Sequence, residues 1–332
     1  MEEIKNDSSS MAFTFGDPEP ILDGQYLTDY VGIWLLDNGQ YYTPPVSWAG
    51  LARLRGANAY HGPLLEFKAN MILRRFVASA ACPLSQMQPF TTDYVTFNNA
   101  YFQRIKNFLG ETVFLKHLPA INMRRMKTEN QYCMLNVDGS RTDFEVGEVV
   151  HIKNYDVAQI IYGLPTYLGA IQSMLLNEDA TLFRRRYYMN GAHVGYIFYS
   201  SSASLEEKDK NSIRDAVKSA KKLGNFRNLF LHIPNGREKD IQIIPVGDFS
   251  TKDELQKIKN ISRDDIIAAH RIPPALASIV PAEARGGFGD IEKSDIVYEK
   301  NEIEPLRNHL AQINDYLPAK WRISFAHPEY EE

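Results

Sequence analysis

The 332-residue chain has only two cysteines, Cys82 and Cys133, and they stand far apart with no CxxC. That excludes a disulfide framework and a cysteine-built zinc site, and it fits a reducing compartment. Both read best as half-buried structural thiols. The phosphate-binding pattern GxxxxGK[ST] is absent, as are HExxH and GxSxG. The glycines at 286, 287 and 289 do not form GxGxxG, and no strand precedes them. Charge of one sign is also missing. Thirty-seven Lys and Arg face 41 Asp and Glu, so the formal net charge of −4 gives no global attraction to nucleic acid or anionic membrane. No clean apolar run of 18 residues occurs. Val157 to Asn177 is uncharged, but Gln159, Gly163, Pro165 and Gln172 interrupt it. It reads as a strand end, a turn and a buried helix start, not a membrane span. The opening MEEIKNDSSS is acidic and polar, so no signal peptide is expected.

What remains is a well-built interior. Hydrophobic residues make up 44% and aromatics 11%, which excludes a mostly disordered chain. The length calls for two or three subdomains.

The stretch from Thr251 to Pro318 organises the rest. STKDELQKIKNISRDDIIAAH is a helix that ends at Arg271-Ile272-Pro273-Pro274, because prolines remove donors and push the preceding residue out of the helical region. A glycine-rich loop carrying Arg285 follows. A long helical pattern then resumes and runs to Pro318. The layout puts a mobile basic loop at the end of rigid rods.

Upstream, residues 1–11 read as a disordered tail, and 12–62, rich in Pro, Gly, Tyr and Asp, as irregular structure wrapping a surface. Pro63 to Ala80 predicts a helix, and CPLSQMQPF a break. Thr92 to Leu109 predicts an amphipathic helix whose Tyr94, Phe97, Tyr101, Ile105 and Phe108 share a face, with Gly110 as its cap. That aromatic stripe belongs to a core, not to a base-stacking platform. Residues 111–156 alternate in short runs and predict strands, with Asp138-Gly139 as a hairpin turn. Leu164 to Asn190 predicts a second long helix with a seam at Leu164, Leu168, Ile171, Leu175 and Leu182. Residues 193–247 predict a strand–helix–strand insert, its helix opened by the capping box at Ser204 to Glu207.

Three clusters are candidates for chemistry. Asp264, Asp265 and His270 make a hydrolytic set on paper, but their spacing on a helix does not let them converge. Arg124, Arg125 and Lys127 fit a phosphate contact or, more simply, a solvated strand edge. Arg184, Arg185 and Arg186 suit a helix C-terminus, or a ring of arginines around an anion if the protein oligomerises. Two readings of these clusters are a monomeric DNA-binding adaptor and a hydrolase.

The ordered segments FTFGDPEPILD, YYTPPVSW, ANAYHGPLLEFKANMILRRF, DYVTFNNAYFQRIKNFLGE, HIKNYDVAQIIYGLPTYLGAIQSMLLNEDATLFRRRYYMNGAHVGYI and IIAAHRIPPALASI resemble the portal proteins of tailed bacteriophages, of the PBSX type. The resemblance covers almost the whole chain. One departure is Asn98-Asn99-Ala100-Tyr101 where such portals often carry Gly-Asn-Ala-Tyr, a change that a helix interior accepts. The resemblance implies an α+β portal fold with long stem helices, a β-rich wing and an αβ clip, assembled as a ring, most simply a dodecamer. It implies a wing region at 12–164, a stem helix at 165–192, a clip at 193–248, a second stem helix at 249–274, a tunnel loop at 275–290 and a wing–crown helix with a short tail at 291–332. The implied role is a non-catalytic vertex channel of the virion, assembled in the bacterial cytoplasm. DNA would be packaged through it by the terminase and later ejected. Implied partners are further copies of the chain, the terminase large subunit, head-completion or connector proteins, a capsid or scaffold protein and double-stranded DNA, with no membrane, cofactor or metal. Implied DNA contacts are Arg285, Gly286, Gly287, Phe288 and Gly289 in the tunnel loop, with Arg184, Arg185 and Arg186 facing the channel. Implied clip contacts are Lys208, Lys210, Arg214, Lys218, Lys221 and Lys222.

The charge pattern agrees with a conduit. Strong cationic lining would attract DNA through counterion release at every step and stall it. The insert 193–248 carries 9 basic and 7 acidic residues, hence +2, whereas 249–332 carries 11 and 15, hence −4.

Overall fold

The computed structural model describes residues 39–157, 160–189, 196–200, 229–232, 241–245, 251–277 and 290–327. The chain divides into two compact units. One comprises residues 20–175 and 260–332, the other 1–19 and 176–259.

The first unit contains the hydrophobic core. Helices α1 (Trp48–Ala57), α2 (His61–Leu73) and α3 (Leu84–Phe97) lead into β2 (Asn99–Lys106). Ser47 caps α1 by accepting from the Gly50 N–H. This α1 helix lies inside the stretch predicted to be irregular. Gly62 lets α2 pass close to α1, since a Cβ there would sit 2.3 Å from the Arg55 carbonyl oxygen. The α2 helix stops at Leu73, earlier than predicted, and the chain forms a short strand β1 (Phe76–Val77) paired antiparallel with β11 (Ser324–Phe325).

The segment predicted as one helix over 92–109 is a helix followed by a strand. Asn98 adopts the left-handed conformation (φ 51°) and ends α3 there. Asn tolerates this region better than most residues because its short amide bonds locally. The aromatics at 94, 97 and 101 are buried as predicted, but by two different elements. The Phe90 ring of α3 stacks on Phe102 of β2 with centroids 4.0 Å apart. On the other face Tyr101 stacks on His151 at 4.2 Å. A strand covered on both faces shows no polar alternation, so its aromatics fall by chance at helical spacing. Phe108 and Leu109 occupy the exposed β2–β3 turn, where Gly110 has a positive φ of 80°.

Two three-stranded antiparallel sheets follow. Strand β2 lies between β3 (Thr112–Leu118) and β7 (Val149–Lys153). Strand β5 (Tyr132–Leu135) lies between β4 (Met123–Arg125) and β6 (Arg141–Asp143). The hairpin turn predicted at Asp138-Gly139 joins β5 to β6, with Gly139 at φ 81°. The outer edge of β4 is covered by residues 40–42 through Tyr42 N–H to Arg125 O and Lys127 N–H to Gln40 O. That edge is therefore paired, not solvated as predicted.

Two long helices have residues in both units: α4 (Ile171–Met189), entered through a 3-10 turn at Leu168–Ala170, and α5 (Thr251–His270). Among the described residues no helix is long and apolar enough to cross a membrane. α5 ends where predicted, with Arg271 left-handed (φ 56°) ahead of the proline pair. The final helical run starts at Asp290, whose side chain caps α6 (Ile291–Tyr298) by accepting from the Lys293 N–H. It continues through a π-helical turn at Glu299–Ile303, α7 (Glu304–Leu310) and a 3-10 turn to Tyr316. Pro305 has no N–H to give the Asn301 carbonyl and its ring crowds that oxygen, which favours the wider turn.

In the second unit, β8 (Tyr196–Ser200) pairs antiparallel with β10 (Ile241–Pro245) and parallel with β9 (Leu229–His232). Strands on both sides of residues 201–228 were expected. The helix expected at 204–223 lies outside the described residues, as does the glycine-rich loop.

Candidate functional site

The end of α5 sits at a polar junction inside the core-bearing unit. His270 closes the helix and is buried. Its Nε2 lies 2.9 Å from Nδ1 of His61, at the start of α2. The Tyr167 ring packs against both, with centroids 4.6 Å from His61 and 5.4 Å from His270. Burial drives His61 down to about 4, helped by Arg55. Burial, with His61 and Lys68 adding repulsion, drives His270 down to about 3. At neutral pH both rings are uncharged, so one donates its proton to the other.

Two turns further along α2, Lys68 is 6% exposed and donates to Glu302 at 2.8 Å. Burial lowers the Lys68 pKa, and Glu302 works against that shift. Arg271, in the left-handed position after α5, reaches the other Glu302 oxygen at 3.7 Å. The third ionic group centres on Glu299, whose side chain is 1% exposed. It accepts from Arg74 at 3.2 Å, from Arg75 at 3.1 Å and from Arg307. Arg307 also donates to the carbonyls of Ile72 and Met71, the open C-terminal end of α2. Both glutamates belong to the π turn, so that turn is tied by ion pairs to the length of α2. A carboxylate gripped by three guanidiniums is a structural clamp, since no donor remains for a ligand.

A second polar lock holds the loop before α4. Asn98 donates to the Leu164 carbonyl at 2.7 Å. Asn99 donates to the Gly163 carbonyl at 2.8 Å and accepts from the Gly163 N–H at 2.8 Å. A Cβ on Gly163 would lie 2.3 Å from the Asn98 carbonyl oxygen, so only glycine allows this approach. The Asn98 position is thus a left-handed helix stop, not the helix interior expected. That explains better why Gly and Asn would exchange there.

The hydrolytic set does not assemble. Asp265 accepts from Ser173 at 2.9 Å, Asp264 pairs with its neighbour Arg263, and His270 faces inward to His61. Among the described residues no group of three or more His, Cys, Asp or Glu could hold a metal ion. Cys82 and Cys133 are buried free thiols, with burial pushing them up to about 12 and about 11. In the basic run, Arg124 lies over the Trp48 ring at 5.2 Å and donates to the carbonyls of Ile121 and Met123. Arg125 lies over Tyr132 at 5.5 Å, which leaves Lys127 as the exposed member. These arginines hold the sheet together and are not presented to phosphate.

Arg184 and Arg185 are exposed on α4. The side chain of Arg186 lies outside the described residues, and so do Lys208, Lys210, Arg214, Lys218, Lys221, Lys222 and the whole of Arg285, Gly286, Gly287, Phe288 and Gly289. Sequence reasoning missed the Glu299–arginine clamp and the histidine pair. The signal available for the clamp was Glu304-Pro305 inside a helical pattern, which marks a disturbed helix one turn after Glu299.

Comparison with known proteins gives a consistent result. The family model described as phage portal protein matches residues 73–325. A probable portal protein of Escherichia phage P2 is 39% identical over 306 residues, covering 92% of this chain and 88% of its own length. Another, from Haemophilus phage HP1, is 37% identical and covers 86% and 84%. Among solved structures, a chain from the virion of a native gene transfer agent particle superposes with a TM-score of 0.57 at 16% identity, covering 83% of each chain. A portal protein of the HK97 family from Corynebacterium diphtheriae gives 0.54 at 14% identity, over 79% of this chain and 92% of the other. At that identity the structures speak for the fold, and the sequence relatives speak for the family: the chain belongs to the phage portal protein family.

Proposed function

We propose that this chain is the portal vertex protein of a tailed phage, of the PBSX type, acting as a ring-shaped DNA conduit without catalysis of its own. The observation that carries this is the family match across 73–325, together with 39% identity to a probable portal protein over nearly the full chain. A dodecamer is supported by a fold likeness (TM-score 0.51) to a chain in the neck of a native gene transfer agent particle, computed with C12 symmetry. In this reading β2 to β7 form the wing, α4 and α5 the stem, and β8 to β10 with the residues between them the clip. A parallel β8–β9 pair needs a crossover of a dozen or more residues, which 201–228 supplies. The loop at 275–290 follows the end of α5 and faces passing DNA with Arg285. A single cation per subunit, repeated around the ring, contacts the duplex lightly enough to let it slide. The mixed charges of the clip select the terminase during packaging and the connector afterwards, since rim charges steer more than they bind. The assembled protein resides at the capsid vertex and contacts capsid or scaffold protein.

The test is imaging of the purified protein down its symmetry axis, with light scattering across a range of salt. Rings with a central opening are expected. A chain that stays monomeric at high concentration in every salt, with tight and steeply salt-dependent DNA binding, would instead establish the adaptor reading.

A further inference from the structure

A cleft of about 190 Å³ opens beside the histidine pair, between α2, α3, the end of α5 and the π turn. That is room for roughly six waters or one ring-bearing side chain. Leu65, Tyr94 and Tyr167 line it with buried apolar and aromatic surface. Lys68 and Glu302 form one wall, and Arg271 stands at the mouth with its side chain 65% exposed. Glu302 is the single carboxylate among the lining residues and faces two cations, so the cleft holds one positive charge in excess. Asn154, Asn301 and Thr166 also border it, and their side chains have no hydrogen-bond partner among the described residues. Such a lining suits an aromatic ring carrying a hydroxyl, flanked by carboxylate.

The described chain ends close to α2, one wall of this cleft. Past β11, the Ala326 N–H donates to the Arg75 carbonyl at 2.8 Å and Arg75 donates to the His327 carbonyl at 3.0 Å. Because β11 runs antiparallel to β1, Ala326 and His327 lie beside Arg75, just past the C-terminal end of α2 and seven residues from Lys68. Lys68 lies about 10 Å from Arg75 at 1.5 Å per helical residue. The next five residues, Pro328-Glu329-Tyr330-Glu331-Glu332, span roughly 17 Å when extended. They carry one tyrosine and three carboxylates, which matches the aromatic floor and the surplus cation.

We propose that this cleft is a docking site for an acidic aromatic peptide and that residues 328–332 of the same chain are its occupant. Tyr330 enters over Leu65, Tyr94 and Tyr167, and the carboxylate of Glu331 or Glu332 pairs with Arg271. This assignment does not depend on the portal reading.

The experiment is disulfide trapping in the full chain with Thr166→Cys and Tyr330→Cys. Thr166 is exposed at the cleft, and the buried Cys82 and Cys133 contribute little background. Under mild oxidant, most chains are expected to form an intrachain link, seen as a faster band on a non-reducing gel. The yield should fall several-fold with added Glu331→Lys and Glu332→Lys or in high salt. The control pairs Tyr330→Cys with Val137→Cys at the fully exposed tip of the β5–β6 hairpin. A Thr166–Tyr330 yield no higher than this control would overturn the proposal. Cross-linked dimers and ladders in place of the intrachain band would overturn the same-chain assignment and give the cleft to a neighbouring copy.

Discussion

His61 Nδ1 and His270 Nε2 share one hydrogen bond of 2.9 Å, joining the first residue of α2 to the last residue of α5. Neither ring can take up a proton without burying a charge beside Lys68 or Arg55. The packing of α5 onto the core is therefore tied to both rings staying neutral.

Acid should weaken the fold through this pair. In the unfolded chain a histidine protonates near 6.5, while the folded values are about 4 for His61 and about 3 for His270. Between those limits the unfolded state binds more protons, so stability falls as pH drops from about 6.5 towards 3 and then levels off. The loss is on the order of 3 to 5 kcal/mol for each ring over its full window. His151, also held well below its usual value by burial, and the carboxylates add slopes of their own. The readout is therefore a difference: His61→Phe should flatten the pH dependence of the denaturant midpoint between pH 7 and 4.5. Parallel profiles for the two proteins would refute the assignment.

The Glu299 clamp predicts a costly single change and a milder double one. Glu299→Gln leaves the guanidinium of Arg307, in a residue 4% exposed, without its counter-charge. A loss of about 3 kcal/mol is expected. Glu299→Leu combined with Arg307→Met removes both charges and should recover much of it. Thermal unfolding at one fixed protein concentration checks this, because assembly also shifts the midpoint.

At the helix stop, Asn98→Gly should cost about 1 kcal/mol, the worth of its bond to Leu164. Asn98→Val should cost about 2 kcal/mol more, since a β-branched residue is strained at φ 51°. Gly163→Ala should be destabilising by a similar amount, because backbone oxygens of Asn98 and Asn154 block the new methyl. Equal stability of the Gly and Val variants at 98 would mean the turn can rearrange.

Deleting Glu283 to Gly289 should leave folding and ring formation intact while impairing DNA packaging or retention. Loss of rings in electron micrographs would make the loop an assembly element instead.

Reversing Lys218, Lys221 and Lys222 to Glu should weaken capture of the terminase or connector by at least tenfold with little change in ring stability. Docking left at its original affinity would place that interface elsewhere.

Much of the architecture is legible in the residues because each signal is local. The proline pair after His270 and the turn at Asp138-Gly139 act on their own neighbours, and both stand where they were expected. The boundary at Asn98 was not legible, because β2 is covered on both faces and its aromatics continue the spacing of α3. The N-terminal helix α1 was hidden by the glycines and prolines around it, although Ser47 before Trp48 is an ordinary cap. The junction residues were harder still. His61 and His270 are 209 positions apart, and Glu299 meets Arg74 across 225. Pairings at that separation are made by tertiary packing and leave no periodicity to read.

The π turn at Glu299–Ile303 has one more consequence. It inserts a residue into the repeat, so the segment after it is out of phase with the segment before it by about 100°, one residue's rotation. Glu299 and Glu302 spend that slip facing α2, while Ile303 and Leu310 still reach the core. Re-closing the same residues as a regular α-helix would swing every side chain downstream by about one residue's rotation, away from its partner. The helix therefore behaves as two rods in fixed angular offset, and its ion pairs set the dial between them.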